Sequence, residues 1–244
     1  MLPQNYGILQ LVWSYLDYSS SASDLKKDYI MHPKRVKEVT LDLPYMTLKK
    51  GQKIYDFILK YKLSHCLELG FYHGVSSVYI GGALEELEGG SLITIDRCSA
   101  LSLVPNIYSL LIESGLSKFV TPIFEPTSYT WRLMKLLEER RHESFDFCYI
   151  DAGHSWDVTG FAFFLVSKLL RPGGWIIFDD LDWTYSTSRA LKNDSSVLAM
   201  PDDERTTPQV RKVFELLVKT DSRYRIAYEH GSWGFAQKAE SCEP

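Results

Sequence analysis

The sequence predicts a doubly wound α/β fold, in which helices cover both faces of a mostly parallel sheet of seven strands. After residue 63, short apolar runs alternate with longer amphipathic segments. The runs are continuously apolar, which is typical of strands that are buried on both faces of a parallel sheet. The stretch 224–238 instead has the pattern of a hairpin around "HGSWG", so the C-terminal end of the sheet is expected to be antiparallel.

Five apolar runs predict the parallel strands, at 63–70, 91–98, 119–126, 145–153 and 173–180. The segments between them predict helices at 75–87, 102–114, 128–141 and 158–170. This alternation of strand and helix is the pattern of a doubly wound sheet. The connection 182–208 is rich in Ser, Thr, Asp and Pro, and a connection of that length is typical of a lid, a binding segment or disorder.

The region before residue 63 predicts helices, including one over 49–62 with an apolar stripe. We interpret the five lysines of that helix as a solvated face, because lysines opposite an apolar stripe usually meet water. The predicted division is a helical extension over 1–62, which covers the substrate or cofactor, and a ligand-binding domain over 63–244.

Composition excludes several classes of protein. With 244 residues, a 45% hydrophobic fraction and a net charge of -4, the chain is an ordinary globular protein without general attraction to nucleic acid or anionic membranes. The N-terminus lacks the basic region of a signal peptide, and no apolar run is long enough to span a membrane. Four cysteines without a CxxC pair indicate a reduced, cytoplasmic protein. A homodimer is a further possibility that the composition does not decide.

The stretch "CLELGFYHGVSS", residues 66–77, is the most informative motif. It lies at the first strand-to-helix turn, where ligands bind in doubly wound sheets. Gly70 and Gly74 admit positive φ and a close approach of the backbone to a ligand. A nicotinamide fingerprint needs glycine where this chain has Tyr72, which disfavours an NAD-dependent oxidoreductase.

Together with Asp96 at the end of the second strand, "LELGFYHG" resembles the class I S-adenosylmethionine-dependent methyltransferases, over about residues 45–238. The resemblance implies a Rossmann-like fold with residues 63–244 as the S-adenosylmethionine-binding catalytic domain. It implies that Glu68 faces the methionine end of the cofactor and that Asp96 accepts both ribose hydroxyls. The full set of implied cofactor-binding residues is Glu68, Gly70, Gly74, Ser76, Asp96, Thr127, Ser128 and Asp151, with Thr127 and Ser128 near the adenine.

Three acids follow the fourth and fifth strands: Asp151 in "YIDAGHSW", and Asp179 and Asp180 in "IIFDDLDW". Neighbouring strands end close together, so three carboxylates there would repel one another without a cation. A divalent cation with oxygen ligands, Mg²⁺ or Mn²⁺, meets that need. The alternative is that each Asp only caps a helix. The spacing resembles that of metal-dependent O-methyltransferases of the catechol, caffeoyl-coenzyme A, macrolide and antibiotic-sugar types.

His154 lies where the catechol-type enzymes carry a lysine as general base. A histidine can accept a proton near neutral pH, so His154 and Asp151 are the predicted catalytic residues. A solvent-exposed histidine at the start of a helix is the alternative. Trp156, Trp183 and Tyr185 flank these residues and form either an aromatic wall over the substrate or part of the core.

The resulting hypothesis is an S-adenosylmethionine-dependent methyltransferase (EC 2.1.1.-) that methylates, with Mg²⁺, a hydroxyl group of a small molecule such as a natural product, a phenol or a sugar. The main alternative is a metal-independent N- or O-methyltransferase. An NAD-dependent oxidoreductase and a cofactor-binding module without catalysis are the other classes that we considered.

Overall fold

The computed structural model describes residues 32–139 and 141–240. Its helices are α1 (His32–Thr40), α2 (Leu48–Tyr61), α3 (Val75–Glu86), α4 (Ile107–Ser114), α5 (Tyr129–Glu138), α6 (Trp156–Leu169), α7 (Ser195–Leu198), α8 (Asp202–Thr206) and α9 (Gln209–Val213). Its strands are β1 (His65–Leu69), β2 (Ser91–Arg97), β3 (Val120–Glu125), β4 (Phe145–Ile150), β5 (Leu170–Phe178), β6 (Tyr224–His230) and β7 (Trp233–Lys238). The predicted absence of a signal peptide concerns residues that lie outside the described part.

The seven strands form one sheet in the order β3-β2-β1-β4-β5-β7-β6. The first five strands are parallel, and β7 runs antiparallel to both β5 and β6. The predicted fold, with its C-terminal antiparallel hairpin, is therefore confirmed. Strand order reverses between β1 and β4, and the crevice at such a point is where doubly wound sheets bind ligands.

Two apolar layers hold the helices against the sheet. Alternate residues of β4 and β5 face opposite layers: Tyr149 and Ile177 pack with α1–α4, whereas Cys148 and Ile176 pack with α5, α6 and α9. Helix α2 contributes Ile54 and other buried residues to the first layer. The described part of the predicted 1–62 extension therefore shares its core with the sheet.

The structure differs from the predicted elements in three places. The predicted helix at 102–114 begins at Ile107, after a 3₁₀ turn over Cys98–Ser102. Strand β5 begins at Leu170. The connection 182–208 contains the short helices α7 and α8, and α9 continues into a π-helical turn over Phe214–Val218. No helix in the described ranges has the length and apolarity to cross a membrane.

Glu68 places a fully buried carboxyl group near the carboxyl end of β1. Its Oε2 accepts hydrogen bonds from the hydroxyls of Ser77 in α3 and Thr94 in β2. Its Oε1 is buried and has no hydrogen-bond partner in the part of the chain that the structure describes. Burial outweighs the hydroxyl hydrogen bonds and raises the pKa of Glu68 from 4.5 to about 7.

This raised pKa predicts that the stability of the protein falls as pH rises from 4.5 to about 7, because in this range the Glu68 carboxyl ionises in the unfolded state and stays protonated in the folded state. The loss in the free energy of unfolding is about 3 kcal/mol, at roughly 1.4 kcal/mol per pKa unit. Glu68→Gln removes this component, so urea unfolding at about pH 5 and pH 8 should show a flatter profile for the variant. Parallel profiles for the two proteins would contradict the assignment.

Candidate functional site

A cavity of about 510 Å³ opens at the carboxyl ends of the parallel strands. Its wall combines the glycine loop after β1, the ends of β2, β4 and β5, and the segments 44–46 and 187–190. The residues that the sequence predicted and that line it are Gly70, Ser76, Asp96, Asp151, His154, Asp179 and Asp180. Met46, Tyr129 and Arg189 also line it and were not predicted.

The glycine loop is shaped by packing as well as by backbone conformation. Gly70 and Gly74 adopt φ values of +83° and +99°, as the motif predicts. A Cβ atom at Gly70 would lie 2.1 Å from the carbonyl oxygen of Asp151, and one at Gly74 would lie 2.6 Å from Cγ1 of Ile107. Neighbouring protein atoms therefore require glycine at both positions, whether or not a ligand approaches the loop. Glu68 is buried beneath the loop and does not line the cavity.

Asp96 holds the glycine loop from the neighbouring strand. Its Oδ2 accepts hydrogen bonds from the backbone N–H groups of Phe71 and Tyr72, at 2.9 and 2.6 Å. Its Oδ1 accepts one from the N–H of Arg97 at 2.6 Å. Tyr72 adopts a φ of 49°, which is uncommon for a residue with a side chain, so these bonds fix a strained turn.

Thr127 and Ser128 lie outside the cavity wall. Thr127 is exposed, and the hydroxyl of Ser128 caps α5 by accepting a hydrogen bond from the N–H of Thr130 at 3.2 Å. The next residue, Tyr129, does line the cavity. Burial raises the pKa of Tyr129 to about 12, so this phenol stays neutral at physiological pH.

Asp151, His154 and Asp180 form a cluster in the wall, with one ligand atom from each lying within 4.8 Å of the others. The Nε2 atom of His154 lies 3.2 Å from Oδ2 of Asp180 and 3.9 Å from Oδ1 of Asp151. The imidazole ring stacks on Trp183 with 4.6 Å between centroids. Because a carboxylate only accepts hydrogen bonds, Nε2 donates to Asp180 and the lone pair of the neutral ring is on Nδ1.

The pKa values of the two acids in this cluster are shifted in opposite directions. Burial and the nearby carboxylates of Asp179 and Asp180 raise the pKa of Asp151 well above its usual range. The side chain of Asp151 is 28% exposed and lines the cavity, and protein atoms enclose the rest of it. Burial opposes ionisation of Asp180 as well, but the hydrogen bond from His154 and the charge of Lys50 lower its pKa overall.

Asp179 points away from this cluster, toward α2. Its Oδ1 and Oδ2 lie 2.7 and 3.0 Å from Nζ of Lys50, and its Oδ2 also accepts a hydrogen bond from the Tyr149 hydroxyl at 2.5 Å. The interpretation of the α2 lysines as a solvated face is wrong for Lys50, whose side chain is only 29% exposed. The sequence does indicate that Lys50 lies on the buried face of the helix, because it precedes the buried Ile54 and Ile58 by one and two turns.

The donor set of Asp151, His154 and Asp180 fits a divalent cation. Carboxylate oxygens suit Mg²⁺ and Mn²⁺, and an imidazole nitrogen moves the preference toward first-row transition ions. Without a cation, the carboxylates of Asp151, Asp179 and Asp180 would repel one another at this edge. Lys50 offsets part of their negative charge from the Asp179 side. Asp180 has a positive φ of 56°, a conformation that Asp tolerates and that often marks functional sites.

The aromatic residues divide between the cavity and its surroundings. Trp183 lines the cavity, and Tyr185 packs against it with 4.8 Å between ring centroids. Trp156 is 42% exposed and lies outside the cavity wall. His73 lines the cavity, and its Nδ1 donates a hydrogen bond to the carbonyl of Pro105 at 2.5 Å.

Comparisons with known proteins agree with the fold. Residues 67–181 match a family model described as a methyltransferase domain. The structure is similar to an O-methyltransferase from Bacillus cereus solved with SAH, with a TM-score of 0.62, 19% identity and coverage of 95% of this chain and 97% of that one. No curated protein matched the chain.

Two further solved structures share the fold. One is the SAH-bound methyltransferase PaMTH1 from Podospora anserina, with a TM-score of 0.61, 15% identity and coverage of 99% of this chain and 98% of that one. The other is the O-methyltransferase TomG from Streptomyces achromogenes, involved in tomaymycin synthesis and solved with SAM, with a TM-score of 0.58, 18% identity and coverage of 98% and 100%. Residues 67–181 are therefore similar to a methyltransferase domain, and the chain shares its fold with methyltransferases that were solved with SAH or SAM.

Proposed function

We propose that this protein transfers a methyl group from S-adenosylmethionine to a hydroxyl oxygen of a small molecule, with Mg²⁺ or Mn²⁺ bound beside the acceptor. The observation that supports it best is that Asp151, His154 and Asp180 line the same cavity as the glycine loop and Asp96. One cavity thus offers a cofactor-binding edge and a polar cluster suited to a hydroxyl group.

The proposed cofactor contacts come from the loop and the strand ends. Gly70 and Gly74 belong to the loop and Ser76 to the first turn of α3, and of these Gly70 and Ser76 line the cavity. Asp96 offers its carboxylate to the ribose hydroxyls, while its hydrogen bonds with the backbone N–H groups of Phe71 and Tyr72 keep the loop in place. Glu68 stays a prediction for the methionine end of the cofactor: its Oε1 has no partner among the described residues, but Glu68 lies outside the cavity wall. Thr127 and Ser128 stay predictions for adenine contact and have less support, because both lie outside the cavity wall.

Asp151 and Asp180 are the proposed ligands of the cation, with the His154 nitrogen within reach. Asp179 was predicted as a third ligand, and in this structure its oxygens are engaged by Lys50 and Tyr149. A bound cation supplies Lewis acidity that lowers the pKa of a substrate hydroxyl.

His154 is the proposed proton acceptor. Asp180 orients its ring through Nε2, and Trp183 packs against the face of the ring, so Nδ1 is the nitrogen with a free lone pair. A base held by a carboxylate and an aromatic ring loses little freedom when it acts. An experiment can distinguish whether His154 acts as the base or as a metal ligand through Nε2.

In the proposed reaction, the substrate oxygen attacks the methyl carbon of the sulfonium in line. The C–O bond forms, the C–S bond breaks, sulfur keeps the electron pair and the hydroxyl proton passes to His154. No oxidant or reductant is needed. The protein contributes mainly by placing the two reactants in the same cavity, which is the largest available effect for a simple displacement.

The described part of the N-terminal extension forms part of the cavity wall. Tyr45 and Met46 precede α2 and line the wall, and Tyr45 packs edge-on against Tyr72 of the glycine loop with 5.2 Å between centroids. We therefore retain residues 1–62 as the proposed cover and 63–244 as the proposed catalytic domain. A cytoplasmic location and a homodimer stay predictions.

A metal-independent methyltransferase is the second candidate, and one observation favours it. Lys50 already supplies a positive charge to the acid pair, at 2.7 Å from Asp179 and 3.8 Å from Asp180. Lys50 thus already offsets part of the negative charge on which the prediction of a metal ion rests.

Asp96→Ala tests the cofactor site. The change removes a carboxylate that would form charge-assisted hydrogen bonds with the ribose, each worth roughly 1.5–3 kcal/mol. We expect affinity for S-adenosylhomocysteine, measured by calorimetry, to fall by about tenfold or more. Glu113→Ala, which removes an exposed acid from α4, is the matched control and should bind normally. Unchanged affinity in the Asp96 variant would refute the ribose assignment.

Asp180→Ala and metal removal test the cation. We expect methyl transfer to any hydroxyl substrate that the enzyme accepts to stop in EDTA and to return with Mg²⁺ or Mn²⁺, because the cation activates the acceptor. Asp180→Ala should abolish turnover while S-adenosylmethionine affinity stays within a few-fold. Asp182→Asn changes an acid outside the cavity wall and should stay active. Full activity in EDTA would favour the metal-independent alternative.

His154→Ala separates a base from a metal ligand. If His154 accepts the proton, the rate at neutral pH should fall by about 10²–10⁴, with partial recovery at higher pH. Mn²⁺ affinity should change by no more than a few-fold in that case. A large loss of Mn²⁺ affinity in the variant would instead identify His154 as a ligand and would leave the base unassigned.

A further inference from the structure

Lys50 is a cationic side chain from outside the matched methyltransferase domain that reaches the edge of the candidate site. It lies in the first turn of α2, which begins at Leu48 with Thr47 as its N-cap. The first turn of a helix disfavours positive charge because of the helix dipole. Its position is therefore better explained by its partner Asp179, just after β5, than by any benefit to α2.

That partner, Asp179, is a buried carboxylate whose two oxygens are both engaged. Oδ1 contacts Nζ of Lys50 and accepts a hydrogen bond from the N–H of Asp180 at 2.6 Å. Oδ2 contacts the same Nζ and the hydroxyl of Tyr149. Asp179 is 4% exposed, so these partners replace water around its charge. A cation beside Asp180 would have to displace one of them to gain Asp179 as a ligand.

Lys50 also acts on Asp180 directly. Its Nζ lies 3.8 Å from Oδ1 of Asp180, whereas Oδ2 of Asp180 faces His154. A second cation bound to Asp180 would therefore lie close to the ammonium group. Two positive charges at such a distance repel each other, and the repulsion is strong in a site that is partly screened from water.

We propose that Lys50 is a positioning residue that keeps Asp179 out of the cation-binding set and thereby sets how tightly the site holds a divalent cation. The inference rests on the cation part of the proposed function. It predicts that the site without Lys50 binds a divalent cation more tightly, because one repulsive charge is removed and a further carboxylate becomes available.

The test is a Mn²⁺ titration of the full chain at one fixed pH, in which electron paramagnetic resonance measures free Mn²⁺. Lys50→Met should bind one Mn²⁺ about tenfold or more tightly than the wild type, given the strength of charge repulsion at short range. Lys50→Arg keeps the charge and should resemble the wild type. Lys49→Met removes the neighbouring exposed charge and should also resemble it. If Lys50→Met does not fold, Lys50→Gln keeps a hydrogen-bond donor and should show the same gain.

The double variant Lys50→Met, Asp179→Asn separates the two causes. We expect it to lose part of the gain, because the released carboxylate is then absent. A double variant with the full gain would overturn the role of Lys50 through Asp179. Equal or weaker Mn²⁺ binding in both Lys50→Met and Lys50→Gln would overturn the inference entirely. Calorimetry with S-adenosylhomocysteine on the same samples reports separately on the proposed cofactor site.

Discussion

The burial of the Asp179 carboxylate is the constraint on which the rest of the site depends. An ionised group that is 4% exposed needs partners that replace its water, and Lys50 and Tyr149 supply them. Because Lys50 belongs to α2, the same contact attaches the N-terminal helices to the carboxyl end of β5. The N–H of Asp180 donates to Asp179, so the contact also fixes the residue that orients His154.

The glycine loop and the acidic cluster are joined just as closely. The backbone N–H of Asp151 donates to the carbonyl of Leu69 at 2.9 Å, and the absence of a side chain at Gly70 lets the loop pass the carbonyl of Asp151. Asp96 closes the other side of the loop through two backbone N–H groups. The edge that is proposed for the cofactor and the edge that is proposed for the acceptor are therefore parts of one rigid structure, which suits a reaction that depends on placement.

The fold and much of the cavity wall could be predicted from sequence because strand ends are local features. A carboxylate at the carboxyl end of a buried strand or just after it, as at Asp96, Asp151 or Asp180, must lie at the ligand-binding edge of a parallel sheet. What could not be predicted was side-chain direction and long-range pairing. Asp179 and Asp180 are adjacent in sequence, yet one faces Lys50 and the other His154. Lys50 could have been noticed from its helical spacing, but its partner is 129 residues away. Nothing local shows that Tyr129 rather than Ser128 lines the cavity.

We propose that one cavity holds both S-adenosylmethionine and a cation next to the acceptor. Anomalous diffraction from crystals grown with S-adenosylhomocysteine and Mn²⁺ tests it most directly. We expect the nucleoside against Asp96 and the glycine loop, and one Mn²⁺ peak that is bound by Asp151 and Asp180 while Asp179 stays with Lys50. A nucleoside outside this cavity, or Mn²⁺ bound to Asp179 in the wild-type protein, would contradict it.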